Sequence, residues 1–302
     1  MTVSVLICTY NRHELLRKAL QSVLVDAEER PDELVLVNGG DDRADHVLDE
    51  FREGTDVHIR HLKTSNINLA TSRNLGLNAC SGDIIAMTDD DAEVFPDWIT
   101  RIKALHEELP DAGAIGGAVY GRNVHGLVGR IADLITFPSW TSRTVVRTLP
   151  GVNISYKKSV LDEIGMQDVR LFRGEDVDYN WRVLLAGYEV VFDPSMKVWH
   201  YHRPTLRGVL RQHYMYGRAY YLVRRKWPAM YSIYPRSWRE RRALLKCGRC
   251  VLGVVLDAAQ LSGKLGSRGQ ACVAFPLLLV IGIFWRFGML RQKISTLTTA
   301  TA

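Results

Sequence analysis

The sequence predicts an α/β protein: a mixed, mainly parallel sheet flanked by helices, continued by a basic helical C-terminal extension. Three observations carry this. Apolar runs of strand length alternate with stretches of helical periodicity over the first 110 or so residues. The composition, 47% hydrophobic and 24% charged over 302 residues, excludes a disordered, collagen-like or disulfide-scaffold chain. The charge is divided. Residues 1–202 hold 21 Lys and Arg against 31 Asp and Glu, whereas residues 203–302 hold 18 against two.

The elements follow in order. Val3–Cys8 is a nearly continuous apolar run, as a strand buried on both faces requires. His13–Leu24 sets Leu16, Leu20 and Val23 on one helical face. Glu33–Val37 is a second strand, ending in the turn Asn38-Gly39-Gly40, and Ala44–Phe51 a second helix. Val57–Leu62 and Asp83–Thr88 read as strands, and Leu69–Ala79 and Asp97–Leu109 as helices. Beyond them Ala114–Tyr120, Val190–Asp193 and Val198–His200 are strand-like, and Asp176–Ala186 is helical, stopped by Gly187. Little is legible between Gly121 and Asn153. The expected division is a catalytic domain over 1–225 and a basic, apolar helical region over 226–302. The first ten residues read as a strand without a basic leader, which predicts a cytoplasmic chain whose five cysteines are reduced.

Ligands on parallel sheets bind beyond the carboxyl ends of the strands. Those ends are Thr9–Asn11, Asn38–Asp42 and Asp89–Asp91. Three consecutive carboxylates after a buried strand need counter-charge, and a divalent cation supplies it; hard oxygen ligands suit Mg²⁺ or Mn²⁺. A solvated acidic turn is the plain alternative. Glu175-Asp176 opens a helix, where acids serve the macrodipole or, at a cleft edge, deprotonate a hydroxyl. His200 and His202 share one side of a strand, near enough in pattern to complete a metal shell. Ser65–Asn74, with Arg73, starts a helix where backbone N–H groups and a guanidinium favour phosphate. Cys247-x-x-Cys250 lacks a second pair and does not predict zinc, and Asn153-Ile154-Ser155 lacks a secretory context.

The ordered set VSVLICTYNR, LVLVNGG, NLATSRNLGLNACSGDIIAMTDDDAEVFPDW and RGEDVDYNWRVLLAGYEVVFDPSMKVWH resembles family 2 glycosyltransferases of the GT-A fold, over roughly residues 1–220. The resemblance implies inverting, metal-dependent transfer from a nucleotide-diphosphate sugar, a UDP-sugar first, in polysaccharide or glycolipid synthesis. Thr9, Tyr10, Asn11, Arg12 and Asn38 would flank the base and ribose, and Arg73, Asp89 and Asp90 the rest of the donor. Asp89 and Asp91 match the family's metal-binding pair, Asp91 as the direct ligand, with His200 as a third. Asp176, beside Glu175, matches the catalytic base. Asn38 stands where the family usually has an acid, which leaves the nucleotide base open. The Gln-x-x-Arg-Trp motif of processive synthases is absent, the nearest stretch being Arg211-Gln212-His213-Tyr214. That favours addition of one sugar or a few.

Ala271–Trp285 is a run of 15 uncharged residues, short of the ~18 that span a bilayer, with basic residues on both sides. A peripheral or monotopic helix at the cytoplasmic face of an anionic membrane is the expectation, with a lipid-linked or saccharide acceptor. A packed helical appendage is the alternative. A nucleotidyltransferase would need an early Gly-rich phosphate loop, which is absent. Arg interleaved with Tyr and Trp over 203–249 suits single-stranded nucleic acid, but leaves the aspartates unexplained, and no nucleic-acid partner is expected.

Overall fold

The computed structural model describes residues 1–65, 67–232, 251–265 and 267–300. Asn66 of the expected phosphate loop, Cys247 and Cys250, and residues 233–249 of the basic segment lie outside the described residues. By contact the chain forms two compact units, Met1–Arg122 with Phe137–Tyr201, and Asn123–Thr136 with His202–Ala302. The second unit therefore begins earlier than residue 226.

In the first unit β1 (Val3–Thr9), β2 (Glu33–Asn38), β3 (His58–Lys63) and β4 (Ile84–Asp89) pair in parallel in the order β3-β2-β1-β4. α1 (His13–Leu24), α2 (Arg43–Arg52) and α3 (Leu69–Ala79) are the crossovers. β1 and β2 are buried along almost their whole length, so both of their faces are apolar. Val5 and Ile7 pack on one side with Leu16, Leu20 and Leu48, while Leu6 packs on the other with Leu77 and Met87. α3 lies close on β1: a Cβ on Gly76 would fall 2.2 Å from the Leu6 side chain. β3 is an edge strand, which explains its polar sequence HIRHLK.

The rest of the sheet is mixed. β5 (Ala92–Val94), α4 (Trp98–Glu108), β6 (Ala112–Gly121), β7 (Thr144–Val145), β8 (Asn153–Lys157), α6 (Lys158–Ile164), α7 (Glu175–Leu185) and β9 (Glu189–His200) complete the unit. The label α5 belongs to Gly126–Thr136 in the second unit. β8 enters antiparallel between β4 and β6, and β9 lies parallel to β6 and antiparallel to β5 and β7. The two expected strands Val190–Asp193 and Val198–His200 are one strand, β9. Its polar middle, Asp193-Pro194-Ser195, is an irregularity in which Asp193 Oδ1 accepts from the Ser195 N–H at 2.9 Å. Opposite it, a Cβ on Gly117 would lie 1.9 Å from the Met196 carbonyl oxygen. Asn153 is fully buried and holds this corner, accepting from Trp98 Nε1 and donating to the carbonyls of Ala118 and Met196.

The second unit is helical: α5, α8 (Leu206–Lys226), α9 (Pro228–Ser232), α10 (Val251–Ser262) and α11 (Arg268–Ala300). Its core joins Ile131, Ala132, Val209, Ala258, Ala274, Leu278 and Ile281. α8 and α11 touch backbone to backbone. A Cβ on Gly217 would fall 1.8 Å from the Trp285 carbonyl oxygen, and one on Gly288 1.9 Å from that of Tyr214. Over Arg268–Thr298 α11 is long and apolar enough to cross a membrane by length and composition.

Candidate active site

Strand register builds the site. Thr9 lies beside Asn38, and Cys8 beside Asp89, so three strand ends open at one edge. Thr9 Oγ1 donates to Asp90 Oδ2 at 2.8 Å and Arg12 Nη1 to Asp90 Oδ1 at 2.8 Å. The same guanidinium nitrogen also pairs with Asp91. Burial pushes the Asp90 carboxyl up, against the pull of Arg12. Asp90 is thus 4% exposed and anchors the first loop. Tyr10, in contrast, is half exposed.

Asn11 has φ +53°, in the left-handed region that Asn tolerates. Its Oδ1 accepts from the Asp41 N–H at 2.9 Å. The Gly40 position must lack a side chain, because a Cβ there would lie 2.2 Å from Asn11 Oδ1. Asn38, at the end of β2, turns its side chain into its own loop. It is 1% exposed. Its Oδ1 accepts from the Gly40 N–H at 2.8 Å and its Nδ2 donates to the Asp41 carbonyl at 2.9 Å. The amide forms the turn. Sequence reasoning missed Asp41, which meets His13 Nε2 at 2.7 Å and is held down to about 2, first by Arg43. Its position three residues past the strand, in a turn with two glycines, was the available signal.

Arg73 is 4% exposed, between two carboxylates. Nη1 donates to Glu175 Oε1 at 2.8 Å and Nη2 to Asp89 Oδ1 at 3.0 Å. It ties the end of β4 to the start of α7. Gly151 admits it, since a Cβ there would sit 2.6 Å from Nη2. Burial, then Asp176, push the Glu175 carboxyl up, against Arg73. Cys8, beside this group, is pushed up to about 12 by burial, which leaves no thiolate nucleophile at neutral pH.

The pair at the head of α7 is divided by environment. Glu175 is buried on Arg73, whereas Asp176 is half-buried. Asp176 Oδ1 accepts from the Val177 N–H at 2.8 Å and Oδ2 from the Gly151 N–H at 3.2 Å. Gly174, at φ +79°, makes the entry to the helix. Asn180 locks the first turn, donating to the carbonyls of Leu149 and Asp176.

His200 Nε2 lies 3.3 Å from Asp91 Oδ1, with Phe137 edge-on to the imidazole at 4.9 Å. The Tyr201 N–H donates to the Asp91 carbonyl at 2.9 Å. The expected trio Asp89, Asp91 and His200 is not assembled, because Asp89 is turned to Arg73. Among the described residues no three or more His, Cys, Asp or Glu side chains converge on one point. Asp91 and His200 do fit a cation. Two ligands about 2.1 Å from one ion and at right angles are about 3 Å apart, and a Mg²⁺- or Mn²⁺-type ion takes its other ligands from phosphate and water. His202 belongs to the second unit, where its Nε2 meets Asp133 at 3.0 Å.

The family model of glycosyl transferase family 2 matches residues 4–164, just over half of the chain. The chain is 34% identical over 189 residues to the glucosyl-dolichyl phosphate glucuronosyltransferase of Haloferax volcanii, covering 58% of this chain and 59% of that protein. It is 26% identical over 217 residues to the poly-β-1,6-N-acetyl-D-glucosamine synthase of Staphylococcus aureus, covering 70% and 52%. The chain thus spans between half and three-fifths of the length of these relatives. The structure of mannosyltransferase PcManGT from Pyrobaculum calidifontis, in complex with GDP-Man and Mn²⁺, superposes with a TM-score of 0.65 at 15% identity, over 96% of this chain and 86% of that one. With its strand-end loops on a GT-A fold, and the family match running from β1 through α6, the chain belongs to glycosyl transferase family 2.

Proposed function

We propose that the chain transfers a sugar from a nucleotide-diphosphate donor to an acceptor hydroxyl with inversion, using the first unit for the chemistry and Asp176 as the base. The observation that carries this is the division of the α7 carboxylates. Glu175 is tied to Arg73, and Asp176 is half-exposed with both oxygens fixed by backbone N–H groups. Asp176 takes the proton of the acceptor hydroxyl as its oxygen attacks the anomeric carbon. The bond to the diphosphate breaks on the opposite face, and the diphosphate leaves with the electron pair. Asp91 and His200 would hold a divalent cation, which would supply positive charge for that leaving group. Arg12 and Arg73 keep the neighbouring carboxylates Asp90 and Asp89 in place. A UDP-sugar is the first donor to test. A panel of nucleotide sugars with Mn²⁺, scored by hydrolysis and thermal shift, tests the reading. Failure of every donor to shift or turn over overturns it.

The named substrate of the Haloferax relative and the named product of the staphylococcal one support a lipid-linked or saccharide acceptor. We further place the helical unit at the cytoplasmic face of an anionic membrane, in its plane. α11 exposes Val280, Ile283, Phe284, Phe287, Leu290 and Ile294. Its other face is locked onto α8, which carries six Arg and Lys. Drawing α8 into the bilayer with α11 would cost about 2.5–3.5 kcal/mol for each charge at the centre. The exposed face buried in the headgroup region avoids that cost.

A further inference from the structure

The helical unit contains a cavity that the transfer chemistry does not use. Its volume is about 450 Å³, within the range of small-molecule sites. Ala258, Leu261, Leu278, Ile281 and Trp285 supply apolar wall, and among the described residues Asp257 and Arg286 are its charged members. Arg286 is poorly satisfied. Nη1 donates to the Gly282 carbonyl at 3.0 Å, Nη2 reaches Asp257 Oδ2 only at 3.4 Å, and the buried Nε–H has no hydrogen-bond partner among the described residues. Nε–H and Nη2 together form the planar fork that matches a carboxylate or phosphate bidentately.

The other polar groups of the wall add no competing positive charge. His213 Nδ1 lies 3.0 Å from the Val209 carbonyl, so it carries the proton, and burial pushes this imidazole down. It is neutral at pH 7. Tyr220 accepts a hydrogen bond from Arg224. Among the described residues the wall holds one cation, Arg286, and one carboxylate, Asp257, whose contact with Nη2 leaves the Nε–H over; an apolar chain that ends in an anion takes that donor. A free nucleotide or sugar would leave its hydroxyls unpaired against Leu and Ile. Gly282 and Arg286 also precede the exposed Ile283 and Phe287 on α11, so cavity and outer apolar face share one helix.

We propose that this cavity binds a single-chain anionic amphiphile, with the chain against Ala258, Leu261, Leu278, Ile281 and Trp285 and the phosphate or carboxylate on Arg286. The site goes beyond the transfer reading and stands without it. The test uses the full chain with farnesyl phosphate, palmitate, farnesol and inorganic phosphate, followed by Trp fluorescence and calorimetry. Farnesyl phosphate, palmitate or both bind saturably, farnesol at least about tenfold more weakly, and inorganic phosphate not at all. The tighter of the two anions identifies the source of the head group. Ala258→Phe, which fills the cavity, removes binding of every chain, and Arg286→Gln weakens only the anions, by about tenfold. Thermal melting establishes that each variant folds. Should Ala258→Phe not fold, quenching of Trp fluorescence by dibromopalmitate replaces it, and Trp285→Phe loses most of that quenching. The proposal is overturned if neither anion binds saturably, if a folded Ala258→Phe binds unchanged, or if quenching survives in Trp285→Phe. Donor hydrolysis, measured on the same samples, reports separately on the transfer reading.

Discussion

The two units solve the problem of charge in opposite ways. In the first, acids outnumber bases, and each acid near the strand ends has an assigned partner: Asp90 with Thr9 and Arg12, Asp89 and Glu175 with Arg73, Asp91 with Arg12 and His200. In the second, bases dominate and two acids serve 18 cations over residues 203–302. The site acids of the first unit find their counter-charge within that unit, as a site that must hold geometry to fractions of an ångström does. The second carries an excess of basic residues and an exposed apolar face on α11. The lesson is that internal pairing marks where chemistry is fixed, and unbalanced charge beside exposed apolar surface marks where a partner is met.

That contrast can be broken at graded cost. Asp91→Ala should abolish turnover and metal-dependent nucleotide binding with the fold intact; full activity of this variant in EDTA would show that no cation is used. Asp176→Asn should still bind donor nucleotide but lose kcat by roughly 10²–10⁴-fold, and loss of donor binding with normal chemistry would make Asp176 a donor ligand. Replacing Ile283, Phe287 and Leu290 together by Ser should remove flotation with anionic vesicles, and high salt should weaken but not eliminate flotation of the parent chain. Equal soluble fractions for both proteins would leave α11 as a packed appendage. The smallest effect concerns His106, which is 2% exposed, bonded to Ser155, and pushed down to about 3 by burial. The unfolded chain binds this proton near pH 6.5 and the folded one does not. Stability should therefore fall as pH drops from 6.5 towards 3, less steeply in a His106→Gln variant; identical melting profiles would exclude His106 as the cause.

Much of the first unit was legible because its strands are buried on both faces and its helices are long. Val3–Cys8, Glu33–Val37 and the helix over Leu69–Ala79 match β1, β2 and α3 within a residue. β5 and β7 are two or three residues long, too short for any period to register. β8 follows a proline and a glycine, and its five residues include Asn153 and Ser155, whose polar atoms are satisfied only by distant partners. The pattern divides β9 into two strands because Asp193-Pro194-Ser195 looks like a break. In the site, residue types were readable and directions were not. Arg73 faces Glu175 across 102 positions of sequence, and Asn38 turns its amide into its own loop. No local pattern encodes either choice.

β9 has a consequence for the order in which the molecule assembles. β1 to β4 and their crossovers are complete by residue 89, so the parallel half can form from contacts close in sequence. β5, β6 and β7 all pair with β9, which is synthesised about a hundred residues after β5. These pairings close long loops and are slow. On the ribosome the parallel half therefore takes shape while the other half waits. Asp176 and His200 arrive with the waiting half. The nascent chain gains the frame of the fold well before it gains the groups proposed for its chemistry.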